Sequence, residues 1–161
     1  GVKCGSEGLC ILPFGNGAER MLGNREPGAS VSGLNFNIHT ASHLIRASQE
    51  GIAFSFRYGL DIMKDTGIDA EIIRAGKANM FLSTVFRQTL ADVTGASIHL
   101  YNTDGAAGAA RGAGIGCGYY SSEKEAFAGL KEVGITTPGK NRELAAEAYL
   151  RWTKALDAAL K

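Results

Sequence analysis

The chain has 161 residues, a formal net charge of +1, 45% apolar residues and 20% charged residues. This length is enough for one domain with one sizeable core, and the composition is that of an ordinary soluble globular protein. The near-neutral charge provides no electrostatic reason to expect nucleic acid. No apolar run approaches the roughly 20 residues of a membrane-spanning helix. We therefore expect neither a nucleic-acid partner nor a membrane partner.

The three cysteines, Cys4, Cys10 and Cys117, form no Cys-x-x-Cys pair. An odd number of cysteines without metal-ligand spacing fits a reducing compartment better than a disulfide framework. Residues 1–3 (Gly-Val-Lys) lack the charged-then-apolar pattern of a signal peptide, and they lack a Met. We predict a cytoplasmic location and interpret the chain as processed, tagged or a fragment.

Hydrophobic patterning in the first half predicts two strands and a long helix. A short apolar run at 9–13 and a weaker alternation at 31–38 predict the strands. The helix is predicted to begin at Thr40 and to end at Gly67, a natural C-terminal cap. Gly51 in mid-helix costs about 1 kcal/mol relative to Ala, which indicates that a neighbouring element packs closely there.

Two strand–turn–helix units are predicted next. The first has a strand at 72–75, a loop at 76–79 and a helix capped by Ser83 and closed by Gly95. The second has a strand at 97–101, a turn at 102–105 and a helix from Ala106, and helices at 122–131 and 141–160 end the chain. This order predicts an α/β domain with helices flanking a sheet. Because four strands at most are present, part of that sheet is expected to be missing.

Three other motif-like segments lack the context that their chemistry needs. Residues 134–141 are nearly a P-loop, but Asn141 stands where Ser or Thr is required and a helix is predicted before the loop. His39 and His43 have the i, i+4 spacing of a zinc helix without its Glu or a third ligand. Residues 112–118 do not fit a dinucleotide fingerprint, and their small side chains suit close helix packing instead. We assign no metal ligand to this chain.

The loop that leads into Ser83 is the better candidate for a binding site. A loop between a strand end and a helix start directs free N–H groups outward, beside the positive end of the helix. Such a place suits the nucleotide of a phosphoryl-transfer enzyme. On these grounds alone, an ordinary β–α turn is the alternative.

Four segments, in the same order, resemble the FGGY carbohydrate kinases and most of all their xylulose-kinase-like members. Residues 29–50 resemble the second signature of the family, with Gln49 at a position for an aliphatic or aromatic residue, and residues 12–20 resemble its Pro-Tyr-Leu-x-Gly-Glu-Arg stretch. Residues 78–95 resemble its adenosine motif, with Ala78, Asn79 and Met80 in place of three glycines, and residues 106–110 resemble its Ala-Leu-Gly-Ala-Ala helix start. The resemblance covers about residues 8–120, followed by C-terminal helices at 121–161.

The resemblance implies part of an actin-like ATPase (ribonuclease H-like) domain, with a sheet flanked by helices and incomplete at its N-terminal strands. Residues 1–161 are then a single partial domain. It implies the adenosine-binding, C-terminal portion of a kinase that uses ATP and Mg²⁺ to phosphorylate a ketopentose such as xylulose. The sugar is expected to bind through a missing N-terminal domain. The catalytic Asp and the Gly-Thr-Ser phosphate loop of the family are not found, so no catalytic residue is assigned and the fragment alone is expected to be inactive.

The same resemblance assigns a nucleotide site. Its six residues are Gly76, Ala78, Asn79, Met80, Ser83 and Gly108. Asn79, Met80 and Ser83 would border the adenosine, while Gly76 and Gly108 would permit close backbone contact. Two alternatives stay open: a non-catalytic relative that binds a nucleotide or partner, and a standalone structural domain. The kinase-fragment hypothesis also predicts an unpaired sheet edge prone to association, which is compatible with a homodimer.

Overall fold

The computed structural model describes residues 1–17 and 19–161. Ala18, which belongs to the motif at 12–20, lies outside the described residues. Along the described residues, the chain forms five strands and five α-helices: β1 (Cys10–Pro13), β2 (Ala29–Ser32), α1 (Ala41–Asp65), β3 (Ile72–Gly76), α2 (Thr84–Thr94), β4 (Ser97–Tyr101), α3 (Gly105–Gly116), α4 (Glu123–Ala126), β5 (Glu132–Thr136) and α5 (Arg142–Ala159).

Helix α1 is the longest element, and its 25 residues span about 38 Å. Thr40 is the N-cap residue, where the His43 amide donates to the Thr40 carbonyl at 3.0 Å and the Thr40 amide donates to His43 Nδ1 at 3.1 Å. Gly67 follows its end with a left-handed φ of 88°. The predicted helix from Thr40 to Gly67 is therefore confirmed. Gly51 is buried against the backbone of β1, as its place in mid-helix predicted.

The strands form two separate sheets. β1 pairs antiparallel with β2, and a mixed sheet has the order β3-β4-β5, with β3 parallel and β5 antiparallel to β4. The strand predicted at 31–38 is wrong in its extent, because β2 ends at Ser32 and residues 35–39 form a hydrogen-bonded turn.

The sequence prediction for the C-terminal region is wrong in one element. Only Glu123–Ala126 of the predicted helix at 122–131 is helical, and Glu132–Thr136 forms the strand β5. The tail is therefore not made of helices alone, and the sheets contain five strands among the described residues rather than four. β5 depends on pairing with β4, reinforced by His99 Nδ1 at 2.6 Å from Glu132 Oε2. Because His99 and Glu132 are 33 residues apart, no local sequence pattern predicts this pairing.

Two hydrophobic clusters hold the two sheets and the helices together. In the first, Trp152 of α5 packs with residues of β1 and α1, and its Nε1 donates to the Ile11 carbonyl at 3.0 Å. In the second, Phe86 and Leu90 of α2 cover Ile98 and neighbouring residues of β4. Because α1 contributes to both clusters, it joins the two sheets into one body.

A buried carboxylate fastens the first residues of the chain to α1. Glu50 is 2% exposed and accepts hydrogen bonds from the Gly5 amide at 2.9 Å, the Ser6 hydroxyl at 2.7 Å and Arg46 Nε at 2.8 Å. Ser6 and Glu7 have left-handed φ values of 46° and 51°, a conformation that costs free energy in non-glycine residues. The hydrogen bonds to Glu50 offset part of that cost.

The free edge of β3 borders an apolar groove. β3 lies at one edge of its sheet, and Ile72 on it is 44% exposed. A cavity of about 400 Å³ beside it is lined mainly by apolar side chains: Met21, Ser55, Phe56, Gly59, Leu60, Met63 and Ile73. Among the described residues, no strand pairs with this edge of β3, and an open edge of this kind is a place where another strand can pair. None of the helices in the described part of the chain has the length and apolar character needed to cross a membrane.

Candidate functional site

Two turns lie side by side where the parallel strands β3 and β4 end. Gly76, the last residue of β3, is in register with Tyr101, the last residue of β4. Each strand continues through a turn into a helix, one capped by Ser83 and the other by Asp104. Ligands of open α/β sheets bind at the carboxyl ends of strands, close to helix starts with free amides. This edge is therefore the candidate site.

Gly76 brings the two turns into direct contact. A Cβ atom on Gly76 would lie 3.0 Å from the Thr103 carbonyl carbon and 3.3 Å from the Asp104 Cα, and closer still to the Thr103 oxygen. The Lys77 amide also donates to the Tyr101 carbonyl at 2.9 Å. Gly76 therefore approaches the backbone of the neighbouring turn closely, and its contact with a nucleotide stays a prediction.

The turn from 77 to 83 combines an outward face with a buried face. Asn79 is exposed and has a left-handed φ of 49°, and Lys77 beside it is also exposed. Ala78 is half-buried, and its amide donates to the Gly76 carbonyl at 2.8 Å. Met80 packs against the core cluster of Phe86 and anchors the inner side. Lys77 and Asn79 therefore face solvent together with Leu82, while Met80 fixes the backbone from its inner side.

Ser83 joins this turn to α2 and to α1. Its Oγ accepts from the Phe86 amide at 3.2 Å, which confirms the predicted helix cap. The same hydroxyl donates to Gln49 Oε1 on α1 at 2.5 Å. Arg87, one turn further along α2, donates from Nη1 to the Phe81 carbonyl. Sequence reasoning missed the contact with Gln49, because 34 residues separate the two side chains.

Gly108 lies on the first turn of α3, and apart from its own helix backbone no atom of the described residues lies within 4 Å of the position of a Cβ. It follows the cap residue Asp104, whose carboxylate accepts from the Ala107 amide at 2.8 Å. At about 1.5 Å per residue, Gly108 is only about 6 Å along the helix from that cap. The first turn of α3, which follows the second turn of the site, thus presents an open, small-residue surface.

The prediction that the small residues of α3 pack closely against another element is wrong for most of the helix. Within the part of the chain that the structure describes, α3 buries none of its residues, and a Cβ at Gly105, Gly108, Gly112 or Gly116 would meet no atom of another element within 4 Å. The exception is Gly114, against which the Tyr120 ring lies. The smooth outer surface of α3 therefore remains accessible.

The near-P-loop at 134–141 contains a different structure from the one predicted. The strand β5, rather than a helix, comes before the loop, and Gly134 lies inside that strand. The Gly139 amide donates to Asp92 Oδ1 at 2.6 Å. This amide is therefore already hydrogen-bonded to a carboxylate of the chain and is not free to bind a phosphate. The segment closes against α2 and carries no phosphate cradle.

The two helix-spaced histidines are engaged in local structure. His39 Nδ1 accepts from the Asn35 amide at 2.9 Å, and His43 Nδ1 accepts from the Thr40 amide at 3.1 Å. His43 Nε2 lies 3.0 Å from Glu7 Oε2. Among residues 1–17 and 19–161, no three His, Cys, Asp or Glu side chains come together as a metal site.

A mixed sheet flanked by helices, with two helix starts at one carboxyl edge, defines an α/β domain that places ligands at its strand ends. The model of the C-terminal domain of the FGGY family of carbohydrate kinases matches residues 7–119. The chain belongs to this family of carbohydrate kinases.

The relatives include kinases of several small polyhydroxylated substrates. The xylulose kinase of Haemophilus influenzae is 38% identical over 96 residues, covering 58% of this chain and 19% of that protein. The L-xylulose/3-keto-L-gulonate kinase of Escherichia coli is 38% identical over 133 residues, covering 80% of this chain and 25% of that protein. A glycerol kinase of Vibrio vulnificus is 30% identical over 161 residues, covering 96% of this chain and 31% of that protein. The chain therefore spans about a fifth to a third of these relatives.

Solved structures show the same fold. The xylulose kinase of Rhodospirillum rubrum superposes with a TM-score of 0.74 at 29% identity, covering 99% of this chain and 32% of that chain. The glycerol kinase of Plasmodium falciparum, solved with ADP, superposes with a TM-score of 0.74 at 23% identity, covering 97% of this chain and 31% of that chain. The predicted fold class, part of an actin-like ATPase domain, is confirmed.

Proposed function

We propose that this chain is the adenosine-binding, C-terminal portion of an ATP-dependent carbohydrate kinase that phosphorylates a ketopentose such as xylulose. The observation that supports it best is the pair of turns at the ends of β3 and β4, joined at Gly76, the second of which continues into α3 with the exposed Gly108. We favour a ketopentose because the two xylulose-type relatives are 38% identical, whereas the glycerol kinases are 28–30% identical.

The residues at this edge fit a nucleoside. Gly108 leaves a flat surface on which a base or ribose can lie, because no side chain occupies it. The exposed Asn79 amide offers a donor and an acceptor for a base edge. Ala78, Met80 and Ser83 hold the backbone of the turn from its inner side. In this assignment, the chain binds and orients the nucleotide.

The phosphoryl transfer itself depends on groups outside this chain. Kinase catalysis is mostly positioning and electrostatic stabilisation of the transferred phosphoryl group, with Mg²⁺ on the phosphates and a base at the acceptor hydroxyl. We assign the base and the sugar contacts to a separate N-terminal domain, and closure of the two domains would exclude water from the reaction. A cytoplasmic location belongs to the same proposal, supported by three cysteines that are free thiols.

Two leucine substitutions on α3 test the nucleotide site. Gly108→Leu and Gly116→Leu both place a side chain in open space, but Gly116 is eight residues, or about 12 Å, further along the helix. Isothermal titration with ADP should show at least a ten-fold weaker affinity for Gly108→Leu, equivalent to about 1.4 kcal/mol. Gly116→Leu should stay within two-fold of the wild-type affinity. Equal effects of the two changes, or no ADP binding by the wild-type chain, would refute the site.

Turnover by the intact polypeptide that carries this domain tests the reaction. ATP consumption should depend on an added sugar and should be fastest with a ketopentose such as xylulose. Sugar-independent ADP binding without turnover on any pentulose or polyol would support the non-catalytic alternative. A preference for glycerol would keep the kinase assignment and refute the substrate.

A further inference from the structure

We propose that Gln49 is a positioning residue for the nucleotide-binding turn, holding its exit into α2 through the hydroxyl of Ser83. Gln49 is half-buried on α1, and its Oε1 lies 2.5 Å from Ser83 Oγ. This inference rests on the proposed function, because it assigns to Gln49 an effect on nucleotide affinity. Gln49 itself need not touch the ligand.

The hydroxyl of Ser83 has one proton to donate, and that proton goes to Gln49. Its oxygen then presents a lone pair to the Phe86 amide, which donates at 3.2 Å. Gln49 therefore determines the direction of the hydroxyl that caps α2. Without an acceptor at position 49, the Ser83 proton must seek another partner and the cap loses its fixed orientation.

The turn is held from its other sides by different contacts. Gly76 fixes its entry against the Thr103 backbone, and Met80 fixes its middle against the core. Ser83 is where the turn becomes helix, and Gln49 is the side chain that reaches this point from α1. A small rotation at Ser83 shifts the backbone of Asn79–Leu82 and with it the exposed Asn79, the side chain assigned to the ligand.

The packing of α1 on α2 does not depend on Gln49. Ala53 of α1 and Phe86 and Leu90 of α2 are completely buried in the same cluster. Loss of the Gln49 amide should therefore leave the two helices in place while it loosens the turn. This separation distinguishes a positioning role from a contribution to folding alone.

Three glutamine variants of the 161-residue chain test the inference. Gln49→Leu removes the acceptor, Gln49→Glu retains an acceptor oxygen, and Gln88→Leu is the matched control on α2. Gln88 donates to Asp92 Oδ1 at 2.9 Å and to the Thr137 carbonyl at 3.1 Å, away from the turn. Each variant is titrated with ADP, and the exchange rate of the Phe86 amide is measured by NMR.

Gln49→Leu should bind ADP about five-fold more weakly than the wild type, equivalent to about 1 kcal/mol, and its Phe86 amide should exchange about five-fold faster. Gln49→Glu should remain within two-fold of the wild type in both measurements. Gln88→Leu should retain the wild-type ADP affinity and the wild-type Phe86 exchange rate. Adding Gln49→Leu to Ser83→Ala should cause no further loss of affinity, since the two residues act through one hydrogen bond.

The outcomes separate the two proposals. A wild-type chain that binds ADP, together with a Gln49→Leu variant of equal affinity, overturns the role of Gln49 and leaves the nucleotide site standing. If the wild-type chain does not bind ADP, the proposed function is overturned. The proposed effect of Gln49 on ADP affinity is then overturned as well. Equal losses in Gln49→Leu and Gln88→Leu would show a general loss of stability and would also overturn the positioning role.

Discussion

Replacing Gly51 by Ala should destabilise the domain, although Ala is the better helix former. Gly51 lies in mid-α1, where the helix crosses β1. A Cβ there would lie 3.3 Å from the Ile11 carbonyl carbon and well inside contact distance of its oxygen. That oxygen also accepts from Trp152 Nε1 at 3.0 Å, so β1 cannot move away without disturbing the α5 contact.

The change in the free energy of unfolding has one stabilising and two destabilising contributions. Ala is favoured over Gly by about 1 kcal/mol in a helix interior. Overpacking against a backbone costs about 1–3 kcal/mol, and a weakened buried hydrogen bond from Trp152 to Ile11 costs about 1–3 kcal/mol. We therefore expect Gly51→Ala to lower the free energy of unfolding by about 1–5 kcal/mol, a substantial part of the stability of a typical domain.

Urea unfolding followed by tryptophan fluorescence measures this loss directly. Trp152 is the single tryptophan of the chain, and it reports on the contact that the new methyl group disturbs. Gly59→Ala in the same helix is the matched control, because its Cβ would meet only Met21 Sδ at 3.8 Å. This control should gain about 0.5–1 kcal/mol. If Gly51→Ala proved as stable as the wild type, with unchanged emission, the close contact between α1 and β1 would be refuted.

Three further predictions concern stability, pH and association. Glu50→Ala should cost about 3 kcal/mol or more, because it leaves Arg46 without its carboxylate in a partly buried position, and a loss below about 1 kcal/mol in urea unfolding would contradict this. Burial and then the hydrogen bond to Asp61 raise the pKa of Tyr149 above its ordinary value of 10.0. The stability that depends on the Tyr149 proton is therefore present below about pH 10 and is lost as the pH rises further, so Tyr149→Phe should flatten the alkaline limb of a Tm-against-pH profile. The isolated chain should associate through the free edge of β3, and Ile72→Lys should weaken that association in sedimentation experiments; equal association of both proteins would argue for another surface.

Local chemistry was sufficient to predict most elements of the first 120 residues. The cap at Thr40, the cap at Ser83 and the closing glycine at Gly95 each act on backbone groups a few residues away, and all three lie where the sequence predicted them. The close neighbour of Gly51 was also predictable, since a glycine in a helix interior costs free energy unless packing requires it.

The candidate site was only partly predictable. The turn into Ser83 follows from a strand, a loop and a cap that are adjacent in the sequence. The contact of Gly76 with Thr103 depends on how β3 and β4 pair, and the partner of Ser83 depends on how α1 crosses α2. The six residues assigned to the nucleotide remain a prediction that the titration with ADP will test.

The family, the long helix α1 and the two strand–turn–helix units were predictable from the amino-acid sequence, because periodicity, caps and motifs depend on residues that are close along the chain. Three features became apparent from the folded arrangement alone: residues 132–136 form a strand, α3 is open to solvent, and Gln49 contacts Ser83. The strand and the Gln49 contact depend on partners that are distant along the chain. The exposure of α3 depends on the lack of a packing partner among the described residues. Such contacts result from the packing of whole helices and strands, and a local sequence pattern does not predict that packing.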